Sequence, residues 1–102
     1  MGKRNTQLKR SCPFEAAMEM LGEKWIGTIL FHLGSSPKRF SELQKLMPQI
    51  TARMLSMKLH KLEADALIVR IQHSSRNIEY ALSEKGLKLN PILLSIKAWI
   101  QH

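Results

Sequence analysis

A single cysteine means that no intramolecular disulfide can brace this 102-residue chain, and it fits a reducing cytosol. Acidic residues are scarce: eight Asp and Glu stand against sixteen Lys and Arg, for a formal net charge of +8. That excess points to an anionic partner, nucleic acid first and an acidic membrane surface second. No apolar run approaches the roughly 20 residues needed to span a bilayer. No apolar segment follows the basic start MGKRNTQLKRS, so it does not read as a secretory signal. A protein lying on a membrane surface would need a helix with a strongly basic face opposite a large aromatic one, and none is found. The five glycines build no phosphate-binding loop. His32, His60, His73 and His102 form no metal-ligand spacing with Cys12. The few carboxylates stand mostly where they cap or pair on helices. These absences argue against an enzyme, and no cofactor or metal is expected.

What is there is enough for one small folded domain. The hydrophobic fraction is 44%, ordinary for a globular protein and too high for disorder. Residues 1–11 are polar and basic and read as a flexible arm that either touches DNA phosphates or simply frays. Residues 12–102 read as the folded domain. Cys12-Pro13 opens a first helix, with Pro at a position where its missing N–H had no partner. Phe14, Ala17, Met18 and Leu21 give it an apolar face, and Gly22 can end it. Trp25, Ile26, Ile29, Leu30 and Leu33 face inward on a second helix, stopped by Gly34. Lys38 to Phe40 read as a very short strand.

The stretch from Arg39 to Arg70 organises the remainder. Ser41 reads as an N-cap, with Gln44 three residues on to close a capping box. Leu43, Leu46 and Met47 give the short helix an apolar side, and Pro48 cannot continue it. Thr51 can cap a second helix, along which Leu55, Leu59 and Leu62 form one buried stripe. The outer face carries Thr51, Arg53, Ser56, Met57 and His60. This is either an ordinary helical hairpin with a solvated face or a helix-turn-helix whose second helix fits the DNA major groove. After Asp65 the period changes. Residues 67–72 and 78–82 read as two strands, and His73 to Asn77 as a basic hairpin tip. Ser83 can cap a last helix bearing Leu89, Ile92, Leu93, Ile96, Trp99 and Ile100. Pro91 should kink or divide it. The expected fold is mainly α with a small β-hairpin, a winged helix-turn-helix.

The residue wording goes further than the element order. Cys12-Pro13, Gly22-Glu23-Lys24-Trp25, Arg39-Phe40-Ser41-Glu42-Leu43, Ile50-Thr51 with Met54-Leu55, Leu62-Glu63-Ala64-Asp65, Glu79-Tyr80-Ala81-Leu82-Ser83 and Gly86 occur in this order. Over roughly residues 12–101 the chain resembles the HxlR-type transcriptional regulators. The resemblance implies a bacterial or archaeal cytoplasmic homodimer that binds a palindromic operator in double-stranded DNA. Some such regulators sense oxidants or electrophiles through the cysteine matching Cys12, which implies a small-molecule or oxidant inducer. Three departures stand out. Ala66 occupies a position usually held by Gly, the wing is short where a proline-containing insertion is usual, and Met57 replaces a more usual polar residue.

Candidate DNA contacts follow from the helix-turn-helix. Arg53 can reach a guanine edge or a phosphate; Thr51 and Ser56 can bond a phosphate or base; His60 can reach the backbone; Met57 offers apolar contact to a thymine methyl. Lys38, Arg39, Lys45 and Lys58 are either phosphate contacts or solvated cations. Arg76 at the wing tip is the minor-groove candidate. Cys12, at a helix N-terminus beside Lys9 and Arg10, is either a reactive thiolate or a small buried hydrophobe. The terminal helix carries more apolar surface than so small a domain can easily bury. Ile92, Leu93, Ile96, Trp99 and Ile100 are therefore expected at a dimer interface that Phe14 and Met18 help to receive, unless Trp99 closes over the core around Trp25. The competing function is a winged-helix module that binds protein through the wing or the second helix of the motif.

Overall fold

A computed structural model describes residues 12–102, so the arm expected over residues 1–11 lies outside the described residues. Helices α1 (Pro13–Gly22), α2 (Ile26–Leu33), α3 (Phe40–Leu46) and α4 (Ala52–Ala64) precede a hairpin of β1 (Ile68–Ser74) and β2 (Asn77–Leu82), and α5 (Glu84–Gln101) follows. Helix α2 is the hub. Its Ile26, Ile29 and Leu30 are fully buried, and α1, α3, β2 and α5 all pack against it. Leu43 and Met47 enter the core from α3 and its end, Leu55, Leu59 and Leu62 from α4, and Leu67, Ile68 and Leu82 from the root of the hairpin. Among the described residues no polar or charged side chain is buried.

The local chemistry explains most boundaries. The Thr51 hydroxyl accepts from the Met54 N–H at 3.0 Å and starts α4 as expected. Helix α3 starts earlier than the sequence reading put it. Arg39, not Ser41, is the N-cap residue, and the Glu42 carboxylate accepts from the Arg39 N–H at 2.7 Å. An ionised carboxylate in the first turn satisfies that donor and the helix dipole together, so Glu42 displaces the neutral Ser41 and Gln44 pair. The short strand at Lys38 to Phe40 shrinks to one bridge. Lys38 exchanges both backbone hydrogen bonds with Tyr80, at 2.9 and 2.7 Å, and Phe40 is already helical.

The hairpin is tighter than expected. The strands run on to Ser74 and Asn77, which leaves only Ser75 and Arg76 in the turn. Neither adopts the left-handed φ that a two-residue hairpin turn usually demands. A register shift between Gln72 and Ser74 takes up the mismatch by setting His73 out of the ladder. Pro91 does not divide the last helix, which is continuous to Gln101. Its missing N–H leaves the Leu87 carbonyl without the usual partner, but both residues are exposed and water can serve.

Two non-glycine residues hold a left-handed backbone, Trp25 at φ 75° and Ala66 at φ 62°. Ala66 turns the chain out of α4 into the hairpin. There its position fixes two neighbours. The Ser83 hydroxyl donates to the Ala66 carbonyl at 2.6 Å, and the Ser83 N–H donates to the Leu67 carbonyl at 3.0 Å. These bonds close the base of the hairpin and launch α5, since the same hydroxyl caps the helix by accepting from the Gly86 N–H.

Candidate nucleic-acid interface

Helix α4 turns its leucine stripe inward and so aims its other side at solvent. At 3.6 residues per turn, Arg53, Met57 and His60 fall within about 60° of one another, opposite that stripe, with Ser56 on the flank. All four are exposed, Met57 to 55%. Thr51 is exposed too, although its hydroxyl oxygen already serves as the cap. Thr51 and Arg53 lie at the N-terminal end of α4, where the helix dipole is positive and suits a phosphate. Arg39 is exposed at the start of α3, and Lys45 at its end. Arg76 is exposed in the two-residue turn at the tip of the hairpin. Just behind it His73 Nε2 and Glu79 Oε1 lie 2.8 Å apart and tie the strands together.

Two of the expected cations are engaged elsewhere. The Lys38 ammonium folds back on its own turn, donating to Ser35 Oγ, Ser36 Oγ and the Ser36 carbonyl at 2.6–3.2 Å. It also stands near His32, whose pKa is held below its ordinary value first by burial and then by that positive charge. Lys58 is turned away from the exposed face. Its ammonium lies 2.7 Å from Glu23 Oε2, and its side chain is only 15% exposed. Lys61 reaches the other oxygen, Glu23 Oε1, at 3.1 Å. Hydrogen bonds from Lys58 and then Lys61 hold the Glu23 carboxyl below the usual carboxylate range. A depressed folded pKa places the stabilisation above the ordinary value, so the bridge is intact at neutral pH and is lost only as acid titrates the folded carboxylate. Sequence reading missed Glu23, because 35 residues separate it from Lys58 and no local spacing links them.

Cys12 is partly buried at the N-cap of α1, in extended backbone, and its side chain makes no capping hydrogen bond. Of the residues expected at a dimer interface, Phe14, Met18, Ile92, Ile96, Trp99 and Ile100 are all exposed, Trp99 to 74%. Trp99 therefore does not close the core around Trp25. Leu93 departs from the expectation. It is partly buried and packs against the monomer core, because it faces α2, while Ile92 faces out and Ile96 lies at the rim of the groove against Gly27, Thr28 and Phe31, 44% exposed. Leu94, not anticipated, is exposed to 48%.

The model of the HxlR-like helix-turn-helix family matches residues 20–102. The HTH-type transcriptional regulator YdeP of Bacillus subtilis is 42% identical over 90 residues, covering 86% of this chain and 70% of that protein. The redox regulator HypR in its oxidised form superposes with a TM-score of 0.78 at 40% identity, covering 86% of this chain and 93% of HypR. Quinone-bound YodB from B. subtilis gives 0.77 at 34% identity, over 88% and 97%. Element order, an exposed second helix behind a tight turn, a short basic wing and this likeness along the sequence agree: the chain belongs to the HxlR-like helix-turn-helix family.

Proposed function

We propose that this HxlR-type DNA-binding transcriptional regulator reads a palindromic operator as a homodimer in the cytoplasm, placing α4 in the major groove and the wing tip on the flanking backbone or minor groove. The observation that carries the reading is the outward face of α4. Arg53, Ser56, Met57 and His60 are exposed on a helix whose opposite stripe is wholly buried, so the helix is anchored and its reading face is free. Arg53 makes the specific contact, Thr51 and Arg39 hold phosphates, and Arg76 adds a sequence-independent contact. Lys38 and Lys58 contribute through the fold and not as direct phosphate contacts. Among the described residues no helix is long and apolar enough to cross a membrane.

HypR is described as a redox regulator, and YodB has been crystallised with a quinone. By extension, Cys12 is the group through which an oxidant or electrophile would act on this chain. It heads α1, the helix whose exposed Phe14 and Met18 belong to the proposed dimer surface. As the chain's one cysteine, it can be oxidised only to an intersubunit or mixed disulfide, or to a sulfur oxyacid.

A gel shift on duplex retained from genomic DNA tests both parts. Arg53→Ala should weaken operator binding by about ten- to a hundredfold while leaving thermal stability unchanged, the worth of one bidentate base contact. Normal operator affinity in that variant would remove Arg53 from the contact. Diamide or quinone should release DNA from the wild type and not from Cys12→Ser; equal release from both would end the sensor assignment. A protein that retains no DNA in a salt-dependent manner would favour the protein-binding module instead.

A further inference from the structure

Helix α4 is the element that the proposed function depends on, yet its neighbour α1 does not pack closely along it. A cleft of about 520 Å³ lies between them, lined by Ala16, Glu19, Met20, Glu23, Lys61 and Asp65. Glu23 spans the gap. It caps the C-terminus of α1, its N–H donating to the Met20 carbonyl at 3.3 Å, and its own carbonyl accepts from the Ile26 N–H at 3.2 Å. Its backbone is thus fixed to the elbow between α1 and α2, which Trp25 completes in a left-handed conformation. Its carboxylate grips two successive turns of α4 at once, through Lys58 and Lys61.

A carboxylate bridging lysines at i and i+3 does more than neutralise charge. The buried leucine stripe sets the orientation of α4 to first order. Two bonds from the α1–α2 elbow to one flank of the helix restrain the rotational freedom that this packing leaves, where a single bond would act only as a pivot. The Lys58 side chain is largely shielded from water, so its ammonium without a partner would have to move outward, drawing the helix or the side chain with it. That rotation decides where Arg53, Met57 and His60 point.

We propose that Glu23 is a positioning residue for DNA reading: it restrains the residual rotation of α4 from the α1–α2 elbow and makes that elbow the mechanical link between the α1 surface and the reading face. The proposal rests on α4 being the DNA-reading helix. Glu23 itself touches no DNA. Its removal should therefore change discrimination, not general affinity for the polyanion.

The test measures Glu23→Gln and Glu23→Asp against the wild type on two duplexes, one retained from genomic DNA by the wild type and one scrambled version of it. Glutamine replaces one of the two carboxylate oxygens with an NH2 donor and carries no charge, so the lysine on that side loses its partner; aspartate keeps the charge, and the long lysine stems can follow it. Glu23→Gln should lower the ratio of specific to scrambled binding about tenfold, within the range that residues linking two elements produce. Glu23→Asp should retain most of the ratio, and melting temperatures should stay close together. A simple loss of negative charge would act differently. It would free two lysines, raise affinity for both duplexes and steepen the salt dependence by up to two phosphate equivalents, and that result would overturn the proposal. So would an unchanged ratio in Glu23→Gln. Failure of the wild type to prefer its own duplex would instead strike at the DNA-reading assignment, before any variant is compared.

Discussion

Gly86→Ala should lower the melting temperature by about 10–20 °C, although alanine is the better helix former. Replacing glycine within a helix ordinarily gains about 1 kcal/mol. Here a Cβ on residue 86 would stand well inside contact distance of the Leu67 carbonyl oxygen and 3.3 Å from both the Leu67 carbonyl carbon and the Leu82 Cβ. The first of these is backbone, and it cannot step aside as a flexible side chain would. The Leu67 carbonyl also accepts from the Ser83 N–H, and Ser83 caps α5. To admit a methyl group, the first turn of α5 must lift off the root of the hairpin and strain those bonds. Overpacking typically costs about 1–3 kcal/mol and more where backbone must move, as it must here, so the net loss is about 2–3 kcal/mol after the propensity gain. For a domain of this size each kcal/mol moves the midpoint by about 4–8 °C. Gly22→Ala is the control, because a Cβ there would meet nothing within 4 Å. Calorimetry or thermal circular dichroism on the two variants separates the effects. Equal melting temperatures would mean that α5 does not sit this close to the hairpin.

What repeats with a regular period was legible in the sequence. The leucine stripe of α4 follows from a 3.6-residue period, Thr51 from its place before that stripe, and the hairpin from a run of β-formers either side of polar residues. Reading failed where two local solutions competed or where the partner was distant. Ser41 with Gln44 and Arg39 with Glu42 offer caps two residues apart, and the charged carboxylate decides in favour of the second. Glu23 meets Lys58 across 35 residues, and Gly86 meets Leu67 across the whole hairpin, so neither pairing leaves a periodic trace. Lys38 looked like a free cation because nothing in its composition reveals that its stem curls back onto Ser35 and Ser36. Leu93 and Ile92 are neighbours of the same character. Only the docking of α5 on α2 tells which one the monomer buries.

The same docking leaves an apolar stripe without a partner, and from it comes the second large effect. Ile92, Ile96, Trp99 and Ile100 recur at i, i+4, i+7 and i+8 along α5, each at least 44% exposed, and Phe14 and Met18 recur at i, i+4 on α1. A soluble protein rarely leaves such a stripe open to water, which supports its being covered by a second copy. A two-fold interface uses every residue twice, so one substitution is felt at two places. Burying a carboxylate where Trp99 stood should cost about 2 kcal/mol or more at each, weakening the dimer roughly a thousandfold. The expected result is that wild-type protein runs as a dimer at micromolar concentration and Trp99→Glu as a monomer with unchanged helix content, since a side chain 74% exposed contributes little to the monomer core. Operator affinity should collapse with it, because two reading helices about 34–36 Å apart, or a multiple of that, no longer bind as one unit. Sedimentation in dilute solution decides the matter. A monomeric wild type would end the dimer, and a folded, dimeric Trp99→Glu would move the interface off the end of α5.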